Sequence, residues 1–164
     1  MSKTLYVHYE GRGFWAFDVA SSVLLKFLID AAQEPAMTQQ GQWLQTVVEH
    51  WRVNAVIPDL GAYLDDNWTS SQVATVIALL RSAAQSLRMQ TSLPAGEIES
   101  WPFDDDQRLF TRGIDPVPCE PIACLAEAII ALLEDSLPAP PRGYAWFYSL
   151  DDEVQTIRMR GIDD

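Results

Sequence analysis

The segment from Pro121 to Leu137, PIACLAEAIIALLEDSL, is apolar almost all the way round at helical spacing, with Glu127 as its one interruption before Glu134-Asp135-Ser136. A surface helix carries its apolar residues on one stripe, whereas a helix apolar on every side has to be surrounded by other elements. This stretch therefore predicts a central helix, with Pro121 in its first turn and the run Pro138 to Pro141 beyond its end. It is too short to cross a membrane, since a span needs about 18 consecutive apolar residues. A chain of 164 residues, 48% of them apolar, supplies enough partners to bury it in one core. One domain over residues 1–164 is the expectation, since domains commonly run about 100 to 200 residues.

The remaining elements follow from periodicity and punctuation. KTLYVHYE alternates apolar and polar positions and reads as a strand ending at Gly11-Arg12-Gly13, with a second short strand in Phe14 to Phe17. Asp18 is placed to cap a first helix, in which Val19, Val23, Phe27 and Leu24, Leu28 recur until Pro35. Trp43, Leu44, Val47, Val48 and Trp51 mark one face of a second helix. Asn54 to Asn67 has a turn-rich composition with room for one helical turn. Thr69-Ser70-Ser71-Gln72 matches a capping box that opens a third helix toward Arg88. Six Pro and Gly residues between Gln90 and Glu120 predict a long irregular connection. The tail YAWFYSLDDEVQTIRMRG reads as two strands around Leu150 to Glu153. The predicted fold is α+β: about four helices packed with a small, mainly antiparallel sheet built from the N- and C-terminal segments.

Charge narrows the partners. The chain has 23 acids against 11 bases, a formal net charge of -12. Binding to a phosphate backbone draws its affinity from Lys and Arg, so nucleic acid is disfavoured, and anionic membrane with it. A cationic protein is favoured, because an acidic surface accelerates its encounter; plain solubility explains the same balance. The N-terminal MSKTLYVHYEGRG lacks the apolar run and cleavage site of a secretory signal, so the expected compartment is the cytoplasm. Cys119 and Cys124 are expected there as free thiols.

Catalytic and metal motifs fail on spacing. His8-Tyr9-Glu10 and Cys119-x4-Cys124 superficially resemble zinc-deaminase elements, but the thiol spacing is at the edge of the C-x(2–4)-C window and Cys124 falls in the apolar helix. His50, near a helix end, is read as a charge-complementing or capping residue. There is no G-x-S-x-G elbow, and Gly11-x-Gly13 lacks the rest of a phosphate loop. Asp104-Asp105-Asp106 lacks the alternating ligands and central Gly of a calcium loop, and reads as a solvated turn or a protein-binding surface. No enzyme activity, metal or cofactor is predicted.

What stands out instead is EIESWPFDDDQRLF, beginning at Glu97, with five carboxylates and two aromatics before Arg108. Exposed aromatics supply anchors and an acidic rim supplies steering, so Trp101, Phe103, Asp104, Asp105, Asp106, Glu97 and Glu99 are the expected partner contacts. Asp59, Asp65 and Asp66, with Tyr63 and Trp68, repeat the theme, as does Asp151-Asp152-Glu153. Both rings of the longer segment also fit a satellite core under the loop. If these loops share a face, they form one anionic surface able to occlude the cationic groove of a nuclease.

The strand start TLYVHYEGRGFWAFD, the helix-rich middle, the segment ESWPFDDD and the size together resemble bacterial toxin-immunity proteins, in particular those of contact-dependent growth inhibition systems. The resemblance implies a tight complex with a cognate toxin domain, often a transfer-RNA nuclease or DNase, and no catalytic residues of its own. It leaves the oligomeric state open, with a monomer favoured. An acidic secretion chaperone or adaptor is the alternative, and an enzyme of unfamiliar type ranks third.

Overall fold

The computed structural model describes residues 3–160. Strand β1 (Thr4–Tyr9) and strand β2 (Arg12–Phe17) form a hairpin closed by Glu10 and Gly11. Both turn residues have positive φ, 49° and 79°, the signature of a two-residue turn whose twist matches that of the strands. Leu5, Val7 and Tyr9 are buried while Tyr6 and His8 face out, the period of two expected of a half-buried strand. Gly13 is required by close approach, since a β-carbon there would run into the Val7 carbonyl of the paired strand.

Four long helices follow: α1 (Asp18–Ala32), α2 (Gln42–Val56), α3 (Ser70–Arg88) and, after a short helix α4 (Ala95–Ser100), α5 (Glu120–Leu133). The capping box at the head of α3 forms in both directions, Gln72 N–H donating to the Thr69 hydroxyl and Thr69 N–H to the Gln72 side chain. Helix α5 is buried along most of its length and touches α1, α3 and the sheet, as an all-round apolar helix must. Each fully buried Leu or Ile there contributes about 1.5–3 kcal/mol relative to exposure.

The final strands β5 (Tyr144–Tyr148) and β6 (Gln155–Arg158) form the expected terminal hairpin. The four-stranded sheet runs β1-β2-β5-β6, so the two ends of the chain meet in it. The sheet is mixed, because β5 pairs parallel to β2 while the outer pairings are antiparallel. A parallel pair needs a crossover, and all the helices together supply it.

Two sequence expectations give way. Asp18 does not cap α1: its carboxylate turns to Arg112 instead, and Phe17 stands at the cap position without a side-chain bond. The stretch from Gln90 to Glu120 is not simply irregular. Its base is closed by a two-residue ladder between β3 (Ser92–Leu93) and β4 (Val117–Pro118), and Ile98, Leu109 and Thr111 are buried beneath it. Asp115 also accepts the Ala95 N–H at 3.0 Å, tying the two arms of the excursion together.

Candidate functional site

The aromatics of the acidic segment are turned inward. Trp101 is half-buried and packs edge-on against Phe27 of α1, ring centroids 6.1 Å apart, with the Lys26 ammonium 5.3 Å from its centroid. Phe103 is also half-buried against the core. Asp104, Asp105 and Asp106 form an exposed turn in which Asp105 and Asp106 have φ of 57° and 58°, a region that Asp tolerates better than most residues. Glu97 is exposed, and Glu99 accepts a hydrogen bond of 2.9 Å from the buried Thr111 hydroxyl.

Asp65 and Asp66 belong to another end of the molecule. Asp66 accepts the Glu10 N–H at 2.8 Å, at the tip of the β1–β2 hairpin, and Asp65 accepts the Asn67 N–H at 2.9 Å. Arg112, which anchors the excursion, binds Asp18 at the opposite end of β2. Six residues of strand separate those ends by about 20 Å at roughly 3.3 Å per residue. The expected acids therefore do not converge on one point. Asp151-Asp152-Glu153 follows the end of β5 that lies beside Ala16, and so sits toward the Asp18 end.

The tertiary structure gathers a different set. Between the start of α1, the end of α2 and residues 110–113 lies a cleft of about 480 Å³, lined by Asp18, Ser22, Ile57, Asp59, Glu99 and Phe110 among others. At its base the buried Asp18 carboxylate accepts Arg112 Nε at 2.9 Å and Nη2 at 2.6 Å. The hydrogen bonds to Asp18 hold Arg112 protonated above the ordinary guanidinium range against the cost of desolvation, and the charges of Asp18 and Asp59 add to the effect. This pairing joins residues 94 apart in sequence and fixes the loop that presents Phe110.

Phe110 is 69% exposed, Leu60 58% and Ile57 44%. Together with Tyr6 and Val53 they make five of the eight large apolar side chains left exposed among the described residues. Ile57 and Phe110 line this cleft, Leu60 belongs to the short helical turn Pro58–Leu60 at its side, and Tyr6 lies on β1, which packs against that turn. On the other side of that turn a groove of about 520 Å³ runs between β1 and residues 59–64, and Asp59 lines both depressions. Helix α2 suspends the groove's outer wall: Asn54 Nδ2 donates to the Gly61 carbonyl at 2.9 Å and Trp51 Nε1 to that of Tyr63 at 3.3 Å. His50 stacks on Tyr63 at 4.0 Å instead of serving the helix end.

Phe110, Ile57, Leu60 and the Asp18–Arg112 pair were not singled out from the sequence, whereas Asp59 was, as a member of the second acidic segment. A signal existed for α2, where Val53 and Ile57 lie one turn apart and off the Leu44-Val47-Trp51 stripe. Phe110 had none, because its outward direction comes from the burial of Leu109 and Thr111 on either side. Both cysteines are free thiols, and burial pushes both upward in pKa, away from reactivity. Among the described residues no three His, Cys, Asp or Glu side chains come together as a metal site, and no helix is long and apolar enough to cross a membrane. The chain matches no protein-family model, and neither a curated protein nor a solved structure is similar to it at a level that shows a relationship.

Proposed function

We propose that the protein is an inhibitory binding partner of the immunity type, which captures a basic toxin domain, a nuclease by preference, in the cytoplasm. The observation that carries the reading is the surface around Pro58–Leu60, where exposed Ile57, Leu60 and Phe110 stand beside the carboxylates of Asp59 and Glu99. Apolar anchors at the centre of an interface supply most of its binding energy, and charges around them supply encounter rate and partner choice. A net charge of -12 favours a cationic partner. A standard interface takes roughly 800 Å² from each side, on the order of a tenth of this protein's 9102 Å² surface. That is enough to span both depressions and the ridge between them. Asp104 to Asp106 then act as steering charge rather than as the centre of contact.

The test is co-expression with the product of the adjacent gene, followed by purification and a nuclease assay on the complex. The expected result is a one-to-one complex with a folded basic domain whose nuclease activity returns when the acidic protein is removed. A partner held unfolded, or a folded partner fully active while bound, would sink the reading, the former in favour of a secretion chaperone.

A further inference from the structure

The groove between β1 and residues 59–64 combines aromatic rings and backbone polar groups with a few aliphatic side chains. Its sheet side carries Tyr6, His8 and Trp15, with Tyr6 and Trp15 directly paired across β1 and β2 and their ring centroids 5.1 Å apart. Tyr6 also stacks with His8 at 6.1 Å and 20° between planes. The direction of the β1 backbone follows from the ladder. Asp18 N–H donates to the Lys3 carbonyl, so the pairs that exchange hydrogen bonds are 3/18, 5/16, 7/14 and 9/12. The N–H and carbonyl groups of Tyr6 and His8 therefore both point away from β2, to the open side of β1. The Gly61 backbone lies opposite, a β-carbon built on it standing 3.9 Å from the Tyr6 oxygen. The far wall adds Asp59, whose charge also acts on Arg112, and Tyr63, whose own carbonyl is turned back to α2.

We infer that this groove is a receptor for an arginine side chain presented by the basic partner. A guanidinium has five donors in a plane and no acceptor, and it stacks on aromatic faces. The groove offers groups that fit it: the rings of Tyr6 and Trp15, Asp59 on its wall and the outward-facing carbonyls of Tyr6 and His8. Nearby charge agrees in sign, with Glu10, Asp65 and Asp66 at the hairpin end of β1 and Arg12 engaged with Asp135. A second copy of this chain would set Asp59 and these acids against their own equivalents, so the charge pattern favours a cationic partner over self-association. The outward N–H groups of Tyr6 and His8 face the same side, and an arginine within a peptide brings a backbone carbonyl that can accept from one of them. The inference rests on the proposed reading for the source of the arginine, not for the chemistry of the groove.

The experiment is a titration followed by amide and indole nuclear magnetic resonance in about 0.15 M salt, where long-range attraction is screened beyond about 8 Å. The probes are N-acetyl-arginine methylamide and its neutral isostere N-acetyl-citrulline methylamide. Saturable shifts are expected at the Trp15 indole and the Tyr6 and His8 amides with arginine, at least tenfold weaker with citrulline and about fivefold weaker in Asp59→Asn. Equal responses to the two probes, or shifts confined to Phe110 and Ile57, overturn the proposal. Concentration-dependent shifts of β1 without any probe assign the groove to a second copy and also overturn it. In a purified complex with a toxin, Asp59→Asn and Tyr6→Ala that each leave Kd within twofold overturn the arginine site while the immunity reading stands. Arginine binding in the absence of any toxin partner does the reverse.

Discussion

The segment Glu97–Asp106 and the segment Ile57–Leu64 differ in a way that runs against their compositions. The first reads as a surface built for contact, yet it sends Ile98 into the core and lays Trp101 and Phe103 against it. The second reads as an ordinary turn, yet it leaves Ile57 and Leu60 exposed on a ridge between two depressions. An aromatic ring near α1 lowers its free energy by burial wherever the chain lets it reach, whereas a short turn after α2 is held by its backbone. Asn54 and Trp51 take the carbonyls of Gly61 and Tyr63, and this fixes the path whether or not the intervening side chains find cover. The lesson is that composition reports what a segment contains, while anchoring decides which part of it meets a partner.

The largest effect expected of that contrast is on stability. Full truncation of a core Trp or Phe costs about 3–5 kcal/mol, so Trp101→Ala, being half-buried, should cost about 2 kcal/mol. At roughly 2–4 °C per kcal/mol for a chain of this size, the thermal midpoint should fall by about 4–8 °C. A midpoint unchanged by Trp101→Ala would return that ring to the contact surface. Next comes Phe110→Ala, which should speed dissociation of the toxin complex about tenfold or more while changing stability by no more than about 0.5 kcal/mol. Surface plasmon resonance beside a thermal melt separates the two; a large melt shift without a change in dissociation rate breaks the comparison.

A smaller change is expected from neutralising the exposed acids together, as Asp104→Asn, Asp105→Asn and Asp106→Asn. Association at low salt should slow a few-fold, and the difference should vanish near 1 M salt, where screening acts within about 3 Å. A salt-independent loss would make these carboxylates direct contacts. The smallest effect lies outside both segments. Hydrogen bonds from Arg88, with its charge adding to them against the cost of burial, hold the Glu120 carboxyl below its ordinary value of 4.5. A depressed folded-state pKa contributes stability above the unfolded value and loses it as pH falls through the folded value. Glu120→Gln should therefore flatten the stability curve only below about pH 4.5, by about half a kcal/mol for so exposed a pair. An equal loss at pH 7 and pH 3 would remove the ionic explanation.

Much of the fold was legible because its signals are local. The all-apolar turns of α5, the Thr69–Gln72 box and the alternation of β1 each state a conformation within a few residues. So does the terminal hairpin, whose two strands flank one acidic turn. The candidate site was far less legible. The choice of Trp101, Phe103 and the neighbouring acids followed density of charge and aromatics, and density says nothing about which side of a loop is covered. Asp18 shows the same limit: its position suited a helix cap, but a guanidinium arriving from the distant loop offered two charge-assisted hydrogen bonds.

The sequence by itself determined an α+β core around one almost wholly apolar helix, with a strong excess of acidic residues, because periodicity and net charge need no knowledge of distant neighbours. Only the tertiary structure decided that β5 joins β2 in parallel, that Arg112 ties the long excursion to the start of α1, and that Phe110 and Ile57 face solvent together. Each of these is a meeting of segments far apart in the chain, settled by the packing of the whole core and by which buried charge finds which partner.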